Sequence, residues 1–93
     1  MVRVTITNQS FREAGGSEAF PNLSIEGIVY GTRILGTGKV ECMQRADLSL
    51  QDEANRKGLS HVFKVEHQLE IDGHPSNDGY WCFSYGTGYR KSE

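Results

Sequence analysis

From Ser60 to Asp72 apolar and polar residues alternate: Phe63, Val65, His67, Leu69 and Ile71 share one face, and Val62, Lys64, Glu66, Gln68 and Glu70 share the other. A period of two is that of a half-buried β-strand, and a slip of one residue would bury four polar or charged groups, so the pattern predicts its own register. Residues 2–7 repeat it on a smaller scale, with Val2, Val4 and Ile6 set against Arg3, Thr5 and Thr7. Tyr80 to Arg90 predicts the last strand, in which Trp81, Phe83 and Tyr85 form the core set and Tyr80, Cys82 and Ser84 point the other way. The β-branched and aromatic stretch Leu23 to Leu35 predicts a further strand, bulged or bent where Gly27 and Gly31 interrupt it.

Glycine and capping residues punctuate these runs. Gly36-Thr37-Gly38 reads as a hairpin turn, from which Lys39 to Gln44 returns as a strand with Val40 and Cys42 on one face. One short helix is predicted near 49–58. Ser49 is placed to cap it, with Asp52 three residues later; Leu50 and Ala54 lie one turn apart, and Arg56-Lys57 suits the negative end of the helix dipole. Gly58 is placed to end it in a left-handed conformation. Residues 8–22 form a long loop carrying Phe11 and Phe20, and Asp72-Gly73 through Asp78-Gly79 form a turn-rich loop around Pro75.

The predicted order is therefore β-β-β-α-β-β, in one domain spanning residues 1–93. The class is mainly β, with α+β also compatible. Two architectures fit: a five-stranded antiparallel sheet with the helix on one face, or a small OB-like, partly closed barrel. The glycine bends at Gly27, Gly31 and Gly86-Thr87-Gly88 lean towards the barrel. The second Gly-Thr-Gly is expected to bend the end of the last strand.

Composition narrows the function classes. The chain is 37% hydrophobic and 24% charged with a net charge of −2, too apolar for intrinsic disorder. No apolar run exceeds the four residues Tyr80-Trp81-Cys82-Phe83, so neither a membrane-spanning segment nor a signal peptide is expected, and the default compartment is cytoplasmic. In that compartment Cys42 and Cys82 read as free, packed thiols, with a disulfide between them as the alternative in an oxidising one.

Catalytic and metal chemistry find little support. Cys42, His61, His67, His74 and Cys82 lack the close, repeated spacing of a zinc site, and no cofactor is expected. His61 and His67 fall on one strand face, roughly 20 Å apart in an extended strand. Cys42 or Cys82 with His67 is the only conceivable nucleophile–base pair, and Glu66 and Glu70 read as a solvated strand face. Both Gly-Thr-Gly sequences are expected between or within strands rather than before a helix, which argues against phosphate loops.

By elimination the expectation is a non-enzymatic protein-binding module, of the kind a virus or mobile element uses as an inhibitor that masks a host protein complex. Its candidate contacts are the aromatics Phe11, Phe20, Tyr30, Tyr80 and Tyr89, although Phe11 and Phe20 have the alternative of folding back over the sheet. Residues 2–7 are a candidate edge strand for a homodimer. The alternative is an OB-like single-stranded nucleic-acid-binding domain, stacking bases on Tyr80, Trp81 and Tyr85 with Lys39, Lys64 and Arg90 on the phosphates.

Overall fold

A computed structural model describes residues 4–71 and 79–92. The turn-rich loop predicted around Pro75, with His74, lies outside the described residues, as do Val2 and Arg3 of the first predicted strand. In chain order the elements are β1 (Thr5–Ile6), α1 (Gly16–Ala19), β2 (Leu23–Tyr30), β3 (Ile34–Gly36), α2 (Lys39–Arg56), β4 (His61–Ile71) and β5 (Tyr80–Lys91).

The five strands form one sheet in the order β1-β4-β5-β2, with β3 pairing β5 beyond the end of β2. β1 runs parallel to β4, whereas β5 is antiparallel to β2, β3 and β4, so the sheet is mixed rather than wholly antiparallel. Among the described residues β1 and β2 are opposite edges that do not pair, so the sheet stays open and the barrel is not formed.

The predicted third strand, Lys39 to Gln44, is instead the start of α2, which runs 18 residues and replaces the short helix expected near 49–58. Its buried positions, Cys42, Ala46, Leu50 and Ala54, recur every fourth residue and make a single narrow stripe. Gly36-Thr37-Gly38 is accordingly not a hairpin turn: Gly36 ends β3 and Gly38 is the N-cap of α2. Ser49 sits inside the helix, where its Oγ accepts the Thr32 backbone N–H at 2.8 Å. Gly58 does end the helix in the left-handed region, at φ 75°, with the Leu59 N–H donating to the Ala54 carbonyl at 3.0 Å.

α2 covers one face of the sheet, and the β5 residues from Cys82 to Gly88 that face it are small. Cys82, Ser84, Gly86 and Gly88 point from β5 towards the helix side, so Trp81, Phe83 and Tyr85 are not the core set but line the opposite, helix-free face. The close packing explains the glycines. A Cβ on Gly86 would lie 2.7 Å from Val62 Cγ1 and 2.8 Å from the Phe63 carbonyl oxygen, and one on Gly31 would lie 2.8 Å from the Leu50 backbone nitrogen. The second Gly-Thr-Gly thus continues β5 instead of bending it. The core is two clusters: Val4, Val29, Leu50, Ala54, Leu59, Val62 and Val65 at one end, and Cys42, Ala46 and Cys82 at the other.

The register predicted for β4 holds only beyond a bulge. Lys64 has φ 54° and, with Val65, occupies one rung opposite Gly86. Val65, His67, Leu69 and Ile71 keep a common face, but that face is shared with Val62, and Phe63 is switched to the helix-free side.

Candidate functional site

The helix-free face has a covered half and an open half. The segment 8–22 folds back over the first. Ser10 and Glu13 close its turn reciprocally, the Ser10 N–H donating to Glu13 Oε1 at 3.0 Å and the Glu13 N–H to Ser10 Oγ at 3.1 Å. The bond from the Ser10 backbone N–H, with a smaller contribution from the Ser10 side chain, holds the Glu13 carboxyl below its ordinary range. The turn lowers Phe11 onto Tyr89, stacked at 4.5 Å between centroids, and onto Phe63, edge-on at 5.4 Å. Phe20 contacts both Phe11 and Phe63, and His61 stacks on Phe63. Burial against these rings pushes the His61 pKa down, with Lys91 adding a smaller push the same way. Three predicted contacts, Phe11, Phe20 and Tyr89, are thus gathered into one intramolecular cluster around the fully buried Phe63.

The open half carries Trp81, Phe83 and Tyr85 from β5 and Tyr30 from β2. Tyr30, Phe83 and Tyr85 form a triangle with centroids 6.2, 6.0 and 5.9 Å apart. Tyr30 is 54% exposed, and Ile25, Ile28 and Leu35 continue an apolar border along the same edge, each also exposed. β4 contributes polar residues in register: Glu66 faces Tyr85, Gln68 faces Phe83 and Glu70 faces Trp81. Arg33 lies with its guanidinium carbon 4.7 Å from the Trp81 ring centre and Nη2 2.6 Å from Glu70 Oε2. A hydrogen bond from the Tyr85 hydroxyl to the Glu66 carboxylate, with the repulsion of that charge, pushes the phenol above its usual range.

The other predicted residues lie apart. Tyr80 points to the helix side, packed against Cys42, Ala46 and Cys82. Lys39 is in the first turn of α2, and Lys64 is at the bulge. Arg90 is engaged by Glu26 at 2.7 Å and by the Lys57 carbonyl at 2.9 Å. These three cations therefore do not line the aromatic triangle; among the described residues Arg33, Glu66 and Glu70 stand beside the rings of the open half.

The bulge also separates His61 from His67, which now lie on opposite faces of β4. His67 joins a polar link beneath the helix: its Nε2 is 2.7 Å from Asp47 Oδ1, and the buried Ser84 hydroxyl donates to the same oxygen at 2.7 Å. The carboxylate sits between serine and histidine. A nucleophile relay needs the imidazole in the middle, so this order ties α2 to β4 and β5 and leaves Ser84 without a base. It borders a shallow pocket of about 260 Å³ lined by Ile6, Thr7, Asn8, Asp47, Val65 and His67. Sequence reasoning missed Asp47, which falls between the stretch Lys39 to Gln44 read as a strand and the helix predicted near 49–58, and which α2 carries in its middle. Cys42 and Cys82 are free, buried thiols; burial, with Cys42 beside it, pushes Cys82 up to about 11. Among the described residues no group of three or more His, Cys, Asp and Glu side chains is gathered as a metal would need, and no helix is long and apolar enough to cross a membrane.

No family model and no curated protein matches the chain. A crystal structure does: a protein of unknown function from Pediococcus pentosaceus ATCC 25745, described as belonging to the DUF74 family, superposes with a TM-score of 0.65 over 96% of this chain and 98% of that one. At 11% identity the likeness is one of fold, so the open, helix-backed sheet is an architecture that this chain shares with an experimentally determined structure.

Proposed function

We propose that the protein is a binding module without catalytic chemistry, and that it docks another protein on the open half of its helix-free face. The observation that carries this reading is the unequal covering of that face. The chain spends its own segment 8–22 on sealing Phe63 and Tyr89, yet leaves Tyr30, Phe83 and Tyr85 beside exposed Ile28 and Leu35. Contiguous exposed apolar surface rimmed by polar groups is the usual mark of a protein contact, and aromatic residues are its usual anchors. Masking part of a larger assembly, as a small inhibitor does, requires no more machinery than this.

A single-stranded nucleic acid is the second reading, favoured by the spacing of Trp81, Phe83 and Tyr85 along one strand face. The carboxylates of Glu66 and Glu70 beside those rings weigh against a phosphate backbone. Selection from a displayed peptide library tests the choice. The wild-type protein should enrich binders that a folded Tyr30→Ala/Phe83→Ala variant does not retain, while labelled oligonucleotides show no binding at low salt. Oligonucleotide binding lost in the same variant would reverse the order of the two readings, and no variant-sensitive binder of either kind would refute both.

A further inference from the structure

The β4–β5 ladder presents the same acid–aromatic pairing twice on the open half. Glu70 faces Trp81 and Glu66 faces Tyr85, with Gln68 opposite Phe83 between them. The chain fills the first pairing itself. Arg33 lays its guanidinium 4.7 Å from the centre of the Trp81 ring while Nη2 bonds Glu70 at 2.6 Å. The second pairing is richer in rings, since Tyr30 and Phe83 stand with Tyr85 at about 6 Å spacing. Four residues of strand separate the two acids, about 13 Å, so Arg33 cannot serve both. Among the described residues the arginine–carboxylate pairs use Glu70, Glu53 and Glu26.

We propose that the second pairing receives the guanidinium of an arginine presented by a partner protein, stacked on the Tyr30–Phe83–Tyr85 triangle and hydrogen-bonded to Glu66. The inference rests on the docking role proposed above and names the chemistry of its anchor. Arginine fits better than lysine because a planar guanidinium can lie on a ring face while its edge reaches a carboxylate, the geometry Arg33 adopts next door. Glu66 is exposed and is in none of those arginine–carboxylate pairs, so its carboxylate, with roughly four acceptor sites, is open to an incoming donor. Exposure of Tyr30 keeps the approach clear from the β2 edge.

The test is an NMR titration of the full chain with the capped tripeptide Ala-Arg-Ala and with its uncharged citrulline counterpart. The arginine peptide should shift the ring signals of Tyr30, Phe83 and Tyr85 saturably, and the citrulline peptide should not. Glu66→Gln should weaken binding about tenfold, the loss of one charge-assisted hydrogen bond, whereas Asp52→Asn on α2 should leave it unchanged. Arg33→Ala should vacate the first pairing, so that the Trp81 indole, silent in the wild type, joins the response and the stoichiometry rises from one to two. Equal response to both peptides, no saturable shift, or indifference to Glu66→Gln would overturn the proposal. If any of these occurs while peptide selection still yields binders that need Tyr30 and Phe83, the arginine anchor fails alone and the docking face stands. If selection yields none, the docking reading itself has failed.

Discussion

Replacing Phe63 by alanine tests the covered half of the sheet, because one side chain there supports several others. Phe63 is 2% exposed and is touched by the rings of Phe11, Phe20, His61 and Tyr89. Truncating a buried phenylalanine costs about 3–5 kcal/mol in lost transfer energy and residual cavity. Edge-on aromatic pairs add about 0.5–1.5 kcal/mol each, but these share one ring and do not sum, so a total near the upper end, about 4–5 kcal/mol, is expected. For a domain of this size the whole stability is about 5–14 kcal/mol, and each kcal/mol is worth about 4–8 °C in Tm. Phe63→Ala should therefore lower Tm by tens of degrees. Urea denaturation followed by Trp81 fluorescence measures it from the other half of the face, where the probe itself does not touch the mutated site. A loss below about 1 kcal/mol, the range of surface substitutions, would refute the switched register and the packing of segment 8–22 together.

Three further outcomes follow from the same geometry. Gly86→Ala should cost about 1–3 kcal/mol in the same urea assay, since the new methyl would meet the Phe63 carbonyl as well as Val62, and a neutral result would contradict the close helix-side packing. Because burial lowers the His61 pKa from 6.5, the unfolded chain binds more protons just below that value. The stability this histidine contributes is thus complete above pH 6.5 and lost as pH falls through the folded pKa, and His61→Gln should flatten the decline in Tm between pH 7 and the carboxylate range. The buried thiols, with Cys82 at about 11, should resist a disulfide-exchange reagent at pH 8 until the protein unfolds, and rapid reaction of both in the native state would be inconsistent with their burial.

The sheet was largely legible in the sequence where side chains alternate without interruption, and it failed where backbone irregularity or small residues intervened. Val65 to Ile71 follow their predicted alternation, but nothing in the letters Phe63-Lys64-Val65 announces that Lys64 adopts φ 54° and throws Phe63 to the other face. On β5 the bulky residues read as the core set, whereas the helix side holds mostly small ones: Gly86 and Gly88 are closed in by Val62, Val65, Val29 and Leu59, and α2 itself sits hard against Gly31 and Gly36. The same closeness concealed the first half of α2. Its buried stripe begins with Cys42 and Ala46, which carry little hydrophobic signal, and Val40 with Cys42 imitates a strand.

The candidate site was legible in part for related reasons. Tyr30, Trp81 and Tyr85 stood out by residue type, while Phe11, Phe20 and Tyr89 are joined to them in composition but not in place. Glu66 and Glu70 looked like an ordinary solvated face. Their significance comes from cross-strand register, and from Arg33, whose position over Trp81 is set by the path between β2 and β3 rather than by any local motif.

The most direct test of the docking face is the affinity of one selected peptide for the wild type and for Tyr30→Ala, measured by calorimetry alongside the Tm of each protein. Tyr30 is 54% exposed, so its removal should leave Tm within a few degrees, whereas loss of a central aromatic anchor should weaken binding by about thirtyfold, some 2 kcal/mol. Unchanged affinity, or affinity lost only when Phe11 or Phe20 is replaced, would contradict the account and move the contact surface to segment 8–22.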